Sequence, residues 1–206
     1  MNLIFQIVAG AFASVLIISS FYFTFQYFRE KYRKIGHKPM SFSDEARYNR
    51  MLDELMFEMY EKVHASNLFI ARLHNNGWWN NGRSMKKFTM VQEKVFPMAP
   101  SIMQDYKDVL CSRYPEAMDY LFYHGMYTSP DLDLCKDRNL KTDFQVKYKF
   151  SSLYFFLIAQ ADGDRTEEAF IGVLFKEPRV LRVEEVDFIK SQRFKILGLL
   201  NMTKKS

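Results

Sequence analysis

The longest hydrophobic stretch of the chain runs from Leu3 to Phe28 and contains no Asp, Glu, Lys or Arg. A helix needs about 20 apolar residues to cross the hydrocarbon core of a bilayer, so residues 1–28 are predicted to form one transmembrane helix. A basic linker at residues 29–43 follows it. Its candidate membrane-surface residues, which would contact lipid headgroups, are Arg29, Lys31, Arg33, Lys34 and Lys38.

The main alternative for this stretch is a cleaved secretory signal peptide. No Lys or Arg precedes the apolar run, and the small-x-small sequence Ala11-Phe12-Ala13 lies in its middle. An uncleaved anchor therefore fits the pattern better. Because the basic residues follow the helix, the positive-inside rule predicts a single-pass protein of the inner (cytoplasmic) membrane, with its C-terminal domain in the cytoplasm.

Residues 44–206 have the hydrophobic periodicity of one compact soluble domain. Apolar residues recur at three- and four-residue steps from Tyr48 to Val63 and again from Val183 to Leu200, which predicts a helix at each end. Between these helices, apolar runs bounded by turn residues predict four strands, at residues 67–73, 85–95, 151–159 and 169–175. This order predicts an α+β domain with an antiparallel sheet flanked by helices.

Turn residues separate the predicted strands. Three clusters of Asn, Asp, His and Gly predict turns because these residue types tolerate positive φ. These turns are His74–Gly77, Asn80–Gly82 and Asp162–Asp164. The pattern loosens in residues 96–140, where we expect helices near 101–110 and 115–123 and irregular chain elsewhere.

Charge and cysteine content exclude several kinds of function. The net charge is +5, but much of the excess lies beside the apolar run, and the rest of the chain mixes both signs. No basic stripe with interleaved aromatic residues stands out, so no nucleic-acid partner is expected. Cys111 and Cys135 lack the spacing of metal ligands, so we expect reduced thiols and no metal site. No catalytic residues have a recognisable local signature, so the chain is not expected to be an enzyme.

The C-terminal half resembles a GAF domain. Ile171-Gly172-Val173-Leu174 matches the last strand of that family, and the acidic sequence from Glu184 to Ile189 resembles the opening of its terminal helix. The sequence NLFIARLHNNG, which begins at Asn67, is similar to the first strand. The resemblance covers residues 44–202 and implies a GAF/PAS-like sheet. Neither an NKFDE-type motif nor a Cys-His dipeptide is present, so neither a cyclic nucleotide nor a covalently held bilin is expected as cofactor.

The overall plan also resembles that of short bacteriophage membrane proteins with one N-terminal helix and a GAF-like domain, in which an HNG-like turn follows the first strand. Phage holins of the T-even type share the plan of one helix and a compact domain. Their domain lies in the periplasm, whereas the basic residues after Phe28 predict the opposite side for this chain.

One group of polar and aromatic residues is the candidate ligand-binding site. His74, Asn75, Trp78 and Trp79 are expected at one mouth of the sheet, where the GAF resemblance implies that ligands are held. There the indole rings would supply contact area, and the polar groups would orient a small planar ligand. The alternative is a hairpin turn whose aromatic residues only cover the sheet edge. Any pocket is expected between the sheet and residues 96–140, because long irregular insertions usually carry function.

These patterns predict a membrane-anchored GAF-like sensory or protein-interaction module without catalytic activity. The alternative is a phage holin-like lysis or membrane-remodelling protein. The apolar stripe from Tyr48 to Val63 also suits a short coiled coil, so a homodimer is expected. The other expected partners are membrane lipid and either a small ligand or a protein.

Overall fold

The computed structural model describes residues 19, 20, 22, 24, 41–78, 84–97, 99–158 and 169–202. The predicted transmembrane helix lies almost entirely outside these residues, and so do the five candidate membrane-surface residues, Trp79 and the turns predicted at residues 80–82 and 162–164. No helix within the described ranges combines the length and apolar character that a bilayer crossing requires. The chain divides into two compact units, of which the second, Ser43–Asn201, contains every described strand.

The first helix of the domain, α1, spans Phe42–Val63 and agrees with the helix predicted from the periodicity. Asp44 and Glu45 lie in its first turn and Lys62 lies in its last turn. At these positions the charges interact favourably with the helix dipole. The apolar stripe faces the interior. Its buried residues are Leu52, Leu55, Met56, Met59 and Val63.

The described strands form one antiparallel sheet, as predicted. The strands are β1 (Asn67–Trp78), β2 (Ser84–Val95), β3 (Val109–Leu110), β4 (Met126–Ser129), β5 (Ser152–Ile158) and β6 (Ala169–Phe175). Their order in the sheet is β3-β2-β1-β6-β5-β4. The sequence pattern revealed β1, β2, β5 and β6 but missed β3 and β4. These two strands are too short to show the two-residue alternation of apolar and polar side chains.

The turn predicted at His74–Gly77 is wrong. Strand β1 continues to Trp78, with His74 opposite Lys87, Asn75 opposite Lys86 and Trp78 opposite Ser84 in β2. A register irregularity between Asn75 and Trp78 accommodates the residues between them. Turn-forming residue types are common at such bulges, so their presence did not distinguish a bulge from a turn.

The insert between β2 and β5 differs from the prediction at both ends. Only Met103–Asp105 forms a short 3-10 helix where a helix was predicted at residues 101–110. Backbone bonding to the sheet edge replaces the helix, because Met90 N–H donates to Tyr106 C=O and Asp108 N–H donates to Thr89 Oγ1. At the other end, α3 (Arg138–Leu140) continues into a π-helical segment, Lys141–Lys147, that the sequence pattern did not reveal.

The predicted helix near 115–123 is confirmed as α2, Pro115–His124. Gly125 ends it at φ 75°, a left-handed conformation that glycine adopts without strain. The terminal helix, α4, spans Val183–Met202 as predicted.

Helices α1 and α4 pack on the same face of the sheet. Leu52 and Met59 of α1 and Ile189 and Ile196 of α4 share one buried cluster with the sheet residue Ile171. The opposite face is covered by the insert between β2 and β5 and forms a second cluster. The candidate functional site lies on this second face.

Candidate functional site

Large aromatic rings fill the layer between the sheet and the insert. Phe69 makes edge-to-face contacts with Phe155 and Phe170, at ring-centroid distances of 6.1 and 6.0 Å. Phe88 meets Phe170 edge-on at 5.3 Å. All four of these rings are buried. Because the protein's own side chains occupy this layer, a ligand site belongs at its rim.

A cleft of about 400 Å³ opens at that rim. We call it the tyrosine cleft, because three tyrosines line it. Its lining consists of residues 105–110, Arg113, Tyr114, Asp143, Lys147 and Tyr148. The cleft lies within the part of the chain where the sequence predicted a pocket, extended by the π-helical segment.

One wall of the tyrosine cleft is an ion pair reinforced by a tyrosine. Arg113 binds Asp143 through two hydrogen bonds, Nε to Oδ2 at 2.7 Å and Nη2 to Oδ1 at 2.9 Å. The Tyr114 hydroxyl donates to Asp143 Oδ2 at 2.5 Å. Burial by itself raises the pKa of Asp143, but the hydrogen bonds from Arg113 and Tyr114 outweigh it and lower the pKa. Asp143 is therefore a carboxylate whose negative charge is already neutralised by Arg113.

The opposite wall repeats the same combination. Lys147 Nζ donates to Asp105 Oδ2 at 2.6 Å, and the Tyr148 hydroxyl donates to the same oxygen. The Lys147 ammonium also lies 4.8 Å from the centre of the Tyr148 ring. Hydrogen bonds from Lys147 and Tyr148 lower the pKa of Asp105. These contacts and the Arg113–Asp143 pair connect the π-helical segment to residues 105–114 on both sides of the cleft.

Tyr106 lies at the base of the cleft with a hydroxyl that lacks a hydrogen-bond partner among the described residues. Its side chain is only 3% exposed, and its ring stacks between Phe88 at 6.2 Å and Phe144 at 5.3 Å. Burial raises the pKa of Tyr106, and the neighbouring Tyr114 raises it further, so the hydroxyl keeps its proton. A buried hydroxyl without a partner costs about 1–3 kcal/mol. Three other buried side-chain atoms of the described residues share this condition: Asn67 Oδ1, Asp137 Oδ2 and Gln192 Oε1.

Among the sequence-predicted ligand residues, His74 lies beside the tyrosine cleft. His74 Nε2 is 3.3 Å from Asp108 Oδ1 and 3.0 Å from Thr89 Oγ1. Asp108 lines the cleft and holds a left-handed φ of 54°. Non-glycine residues in this conformation are uncommon and often belong to functional sites.

The other sequence-predicted ligand residues are only partly described. Asn75 and Trp78 lie in β1 by their backbone positions, and Trp79 lies outside the described residues. Their part in ligand binding stays a prediction. The two cysteines, both in the described ranges, form no disulfide; Cys111 is buried and Cys135 is half-buried.

The sequence pattern missed most of the residues that line the cleft. The available signal was weak: two cation–tyrosine pairs, Arg113-Tyr114 and Lys147-Tyr148, in stretches without clear periodicity. Nothing in the linear sequence indicates that Asp143 and Asp105 complete these pairs, because each carboxylate is about 30 to 40 residues from its cation.

Comparison with known proteins assigns the fold. No family model and no curated protein matches the sequence. Solved structures do match. A far-red cyanobacteriochrome photoreceptor is 15% identical with a TM-score of 0.61, and the match covers 86% of this chain and 98% of that one. The fold is that of a GAF domain.

Two further matches are to GAF domains. The GAF domain region of a putative membrane protein from Geobacter sulfurreducens PCA is 10% identical with a TM-score of 0.54, and the match covers 78% of this chain and 97% of that one. The GAF domain of a two-component sensor histidine kinase from Bacillus halodurans is also 10% identical with a TM-score of 0.54, over 74% of this chain and 95% of that one. The structural likeness establishes a GAF-like fold. At identities this low, the ligand of this chain has to be inferred from its own residues.

Proposed function

We propose that this chain is a membrane-anchored, non-catalytic GAF-like sensory module that binds a small molecule in the tyrosine cleft. The observation that carries the proposal is an open cleft of about 400 Å³ in a GAF-like fold, with the Arg113–Asp143 and Lys147–Asp105 ion pairs in its lining. The likeness to a photoreceptor and to a domain of a sensor kinase supports a sensory role.

The ring-filled layer below the cleft limits the size of the ligand. Phe69, Phe88, Phe155 and Phe170 are at most 2% exposed, so a large chromophore would have to displace core side chains. A cleft of about 400 Å³ lies in the range of small-molecule sites. We therefore assign a compact, partly polar ligand to this module.

The membrane anchor is part of the same proposal. It rests on the apolar run from Leu3 to Phe28 and on the basic residues that follow it. In this arrangement the GAF-like domain lies in the cytoplasm beside the inner membrane, and the basic linker contacts lipid headgroups. Signal output would then pass to a protein partner or to a second copy of the chain.

A tryptophan placed in the cleft tests the sensory role. Lys107 is exposed and lines the cleft, so Lys107→Trp fills the opening without disturbing the core. Lys136→Trp, at another exposed lysine, is the matched control. The measurement is the melting temperature of the full chain in lipid nanodiscs, with and without the small-molecule fraction of a cell lysate. We expect stabilisation of the wild type and of Lys136→Trp but not of Lys107→Trp. Equal responses of both variants, or no response of the wild type, would contradict ligand sensing in the cleft.

A labelling experiment tests the topology. Cys111 and Cys135 are replaced by Ala, one cysteine is added after Ser206, and intact cells are treated with a membrane-impermeant maleimide. A cytoplasmic domain remains unlabelled until the cells are permeabilised. Strong labelling of intact cells would place the domain outside and favour the lysis protein over the sensory module.

A further inference from the structure

Strand β4 forms one edge of the sheet. It stands last in the strand order, and its residues Met126–Ser129 pair with Leu153–Phe156 of β5. On its other side no strand partner lies within the described ranges. An edge strand presents backbone N–H and C=O groups that can pair with a strand from another chain.

The hydrogen bonds between β4 and β5 show which backbone groups point outward. Leu157 N–H donates to Gly125 C=O at 2.9 Å, so these residues face each other at a hydrogen-bonded position of the ladder. Hydrogen-bonded and non-hydrogen-bonded positions alternate in an antiparallel pair. Tyr127 therefore bonds to β5, whereas the N–H and C=O groups of Met126 and Thr128 point away from the sheet. None of these four outward groups has a partner among the described residues.

A groove of about 350 Å³ runs beside this edge. We call it the edge groove. Residues 127–131 supply its lining along the strand, and the rest comes from Glu116 and Tyr120 of α2 and from residues 134–136. The side chains of Leu134 and Tyr120 are 81% and 50% exposed, so the groove offers apolar surface next to the open backbone groups. The edge groove shares no lining residue with the tyrosine cleft.

The charges of the edge groove indicate what it binds. Its lining carries two carboxylates, Glu116 and Asp131, against one ammonium, Lys136. Glu116 is exposed and forms no ion pair in the described part of the chain. A second copy related by a two-fold axis would bring the same carboxylates and the same bulky Tyr120 and Leu134 to this place. A single extended segment with basic residues is complementary in both shape and charge.

We propose that the edge groove binds an extended, basic segment of a partner protein, which adds to β4 as a further strand of the sheet. The outward groups of Met126 and Thr128 supply the backbone hydrogen bonds. Apolar side chains of the segment contact Tyr120 and Leu134. In this mode of recognition the backbone bonds provide affinity and the side-chain contacts provide specificity. The inference goes beyond the sensory role and does not depend on a ligand in the tyrosine cleft.

A capped peptide of alternating valine and lysine is the probe, and its glutamate analogue is the charge control. Isothermal titration calorimetry measures their binding to the full chain in nanodiscs of phosphatidylcholine, a lipid without net charge. The lysine peptide should bind at least about tenfold more tightly than the glutamate peptide. Glu116→Gln should weaken its binding about threefold, whereas Asp119→Asn, at an exposed carboxylate of α2 outside the groove, should not. No binding of the lysine peptide, or equal binding of both peptides, overturns the proposal.

Methylated peptides test the backbone pairing. N-methylation of the valine amides blocks one edge of the extended peptide and N-methylation of the lysine amides blocks the other, because the N–H groups of successive strand residues point to opposite sides. One isomer should bind like the unmethylated peptide, and the other should bind at least about tenfold more weakly. Equal affinities of the two isomers would mean that side chains alone carry the binding, which would overturn strand addition.

A variant of β4 tests the same bonds from the side of the protein. Thr128→Pro removes an outward N–H group but no bond of the ladder, and proline is tolerated at such edge positions. It should weaken binding of the lysine peptide about tenfold, whereas Thr128→Val, which keeps the N–H group and a β-branched side chain, should bind like the wild type. Unchanged binding to Thr128→Pro overturns the proposal. The methylated peptides decide the same question without depending on the folding of this variant.

The location of the bound peptide is tested through Cys135, which lines the edge groove and is half-buried, whereas Cys111 is buried. Saturating lysine peptide should slow the alkylation of Cys135 by iodoacetamide, measured by mass spectrometry of the full chain. Unchanged alkylation would place the peptide elsewhere and overturn the assignment. Loss of self-association in Thr128→Pro, without peptide binding to the wild type, would assign the edge to a second copy and would also overturn it.

Discussion

Gly172 shows how a single residue determines the packing at the centre of the sheet. It lies in β6 opposite Phe69 of β1 and Phe155 of β5. The ring of Phe69 lies across it so closely that a methyl group at this position would overlap the ring. Phe69 is fully buried and held by Phe155 and Phe170, so the ring has no free space to enter. Glycine is therefore required here for space, although it is a poor strand residue.

Gly172→Ala is expected to destabilise the domain by about 1–3 kcal/mol, the usual cost of adding a methyl group to a packed core. Chemical denaturation followed by circular dichroism measures the change. Gly198→Ala is the matched control, because no described atom beyond the adjacent residues and the backbone of the same helix lies within 4 Å of the added methyl group. Gly198 lies in α4, so alanine there should stabilise the domain by about 0.5–1 kcal/mol through helix propensity. Equal effects of the two substitutions would refute this packing.

At the scale of elements, one buried carboxylate holds the start of α4. Glu185 Oε2 accepts a hydrogen bond from Arg182 N–H at 2.8 Å, and Oε1 accepts one from Arg179 Nη2 at 2.6 Å. The Glu185 side chain is 1% exposed. Burial by itself raises its pKa, but hydrogen bonds from Arg182 and the charge of Arg179 lower the pKa below the ordinary value of 4.5. The carboxylate thus satisfies an N–H group at the helix start and neutralises arginine charge.

Glu185→Ala is expected to cost about 1–3 kcal/mol, because it removes the acceptor of the Arg182 N–H group at the helix start and the partner of the half-buried Arg179. Glu184→Ala, at the exposed neighbouring position, should change stability by less than about 0.5 kcal/mol. The measurement is the free energy of unfolding in urea at neutral pH. Similar losses in the two variants would show that the buried ion pair does not stabilise α4.

The same carboxylate predicts a pH dependence. A folded-state pKa below 4.5 means that the stabilisation is complete above 4.5 and is lost as the pH falls through the lowered pKa. Melting temperatures between pH 7 and pH 3 should therefore fall less steeply in Glu185→Gln than in the wild type. An unchanged acid slope would contradict this linkage.

At the scale of the whole molecule, the expected homodimer needs a surface other than the α1 stripe. Leu55 and its neighbours along that stripe are buried against the sheet and α4 within one chain. On α4, Phe194 is 77% exposed and available to a second copy. The dimer remains a prediction, and the residue to substitute in its test is Phe194 and not a residue of the α1 stripe.

Phe194→Ser is expected to convert a dimeric protein into a monomer with little change in melting temperature, because the side chain makes little contribution to the core. Sedimentation of the full chain in detergent measures the oligomeric state. Val180→Ser, at another exposed apolar residue, should leave the dimer intact. A monomeric wild type would refute the dimer, and a dimeric Phe194→Ser would exclude this surface.

The hydrophobic pattern by itself determined the helices at both ends of the domain, the four longer strands and the GAF-like order of elements. These features follow from the burial of one face of each element. Apolar residues on the buried face recur every two residues in a strand and every 3.6 residues in a helix, so the sequence shows them directly. Local signals were misleading where the sheet edge competes for the backbone. The polar residues from His74 to Gly77 belong to a strand, and the predicted helix at residues 101–110 gives way to bonds with Met90 and Thr89.

Only the tertiary structure decided the composition of the tyrosine cleft. Asp143 meets Arg113 and Asp105 meets Lys147 because the insert folds back over the sheet and brings together residues that are about 30 and 40 positions apart. Pairing at such distances has no period and leaves no local signature. The unpartnered hydroxyl of Tyr106 is likewise a property of packing, since Phe88 and Phe144 hold its ring from two different elements. A sequence specifies which faces are buried, but which polar groups remain without partners depends on how those faces meet.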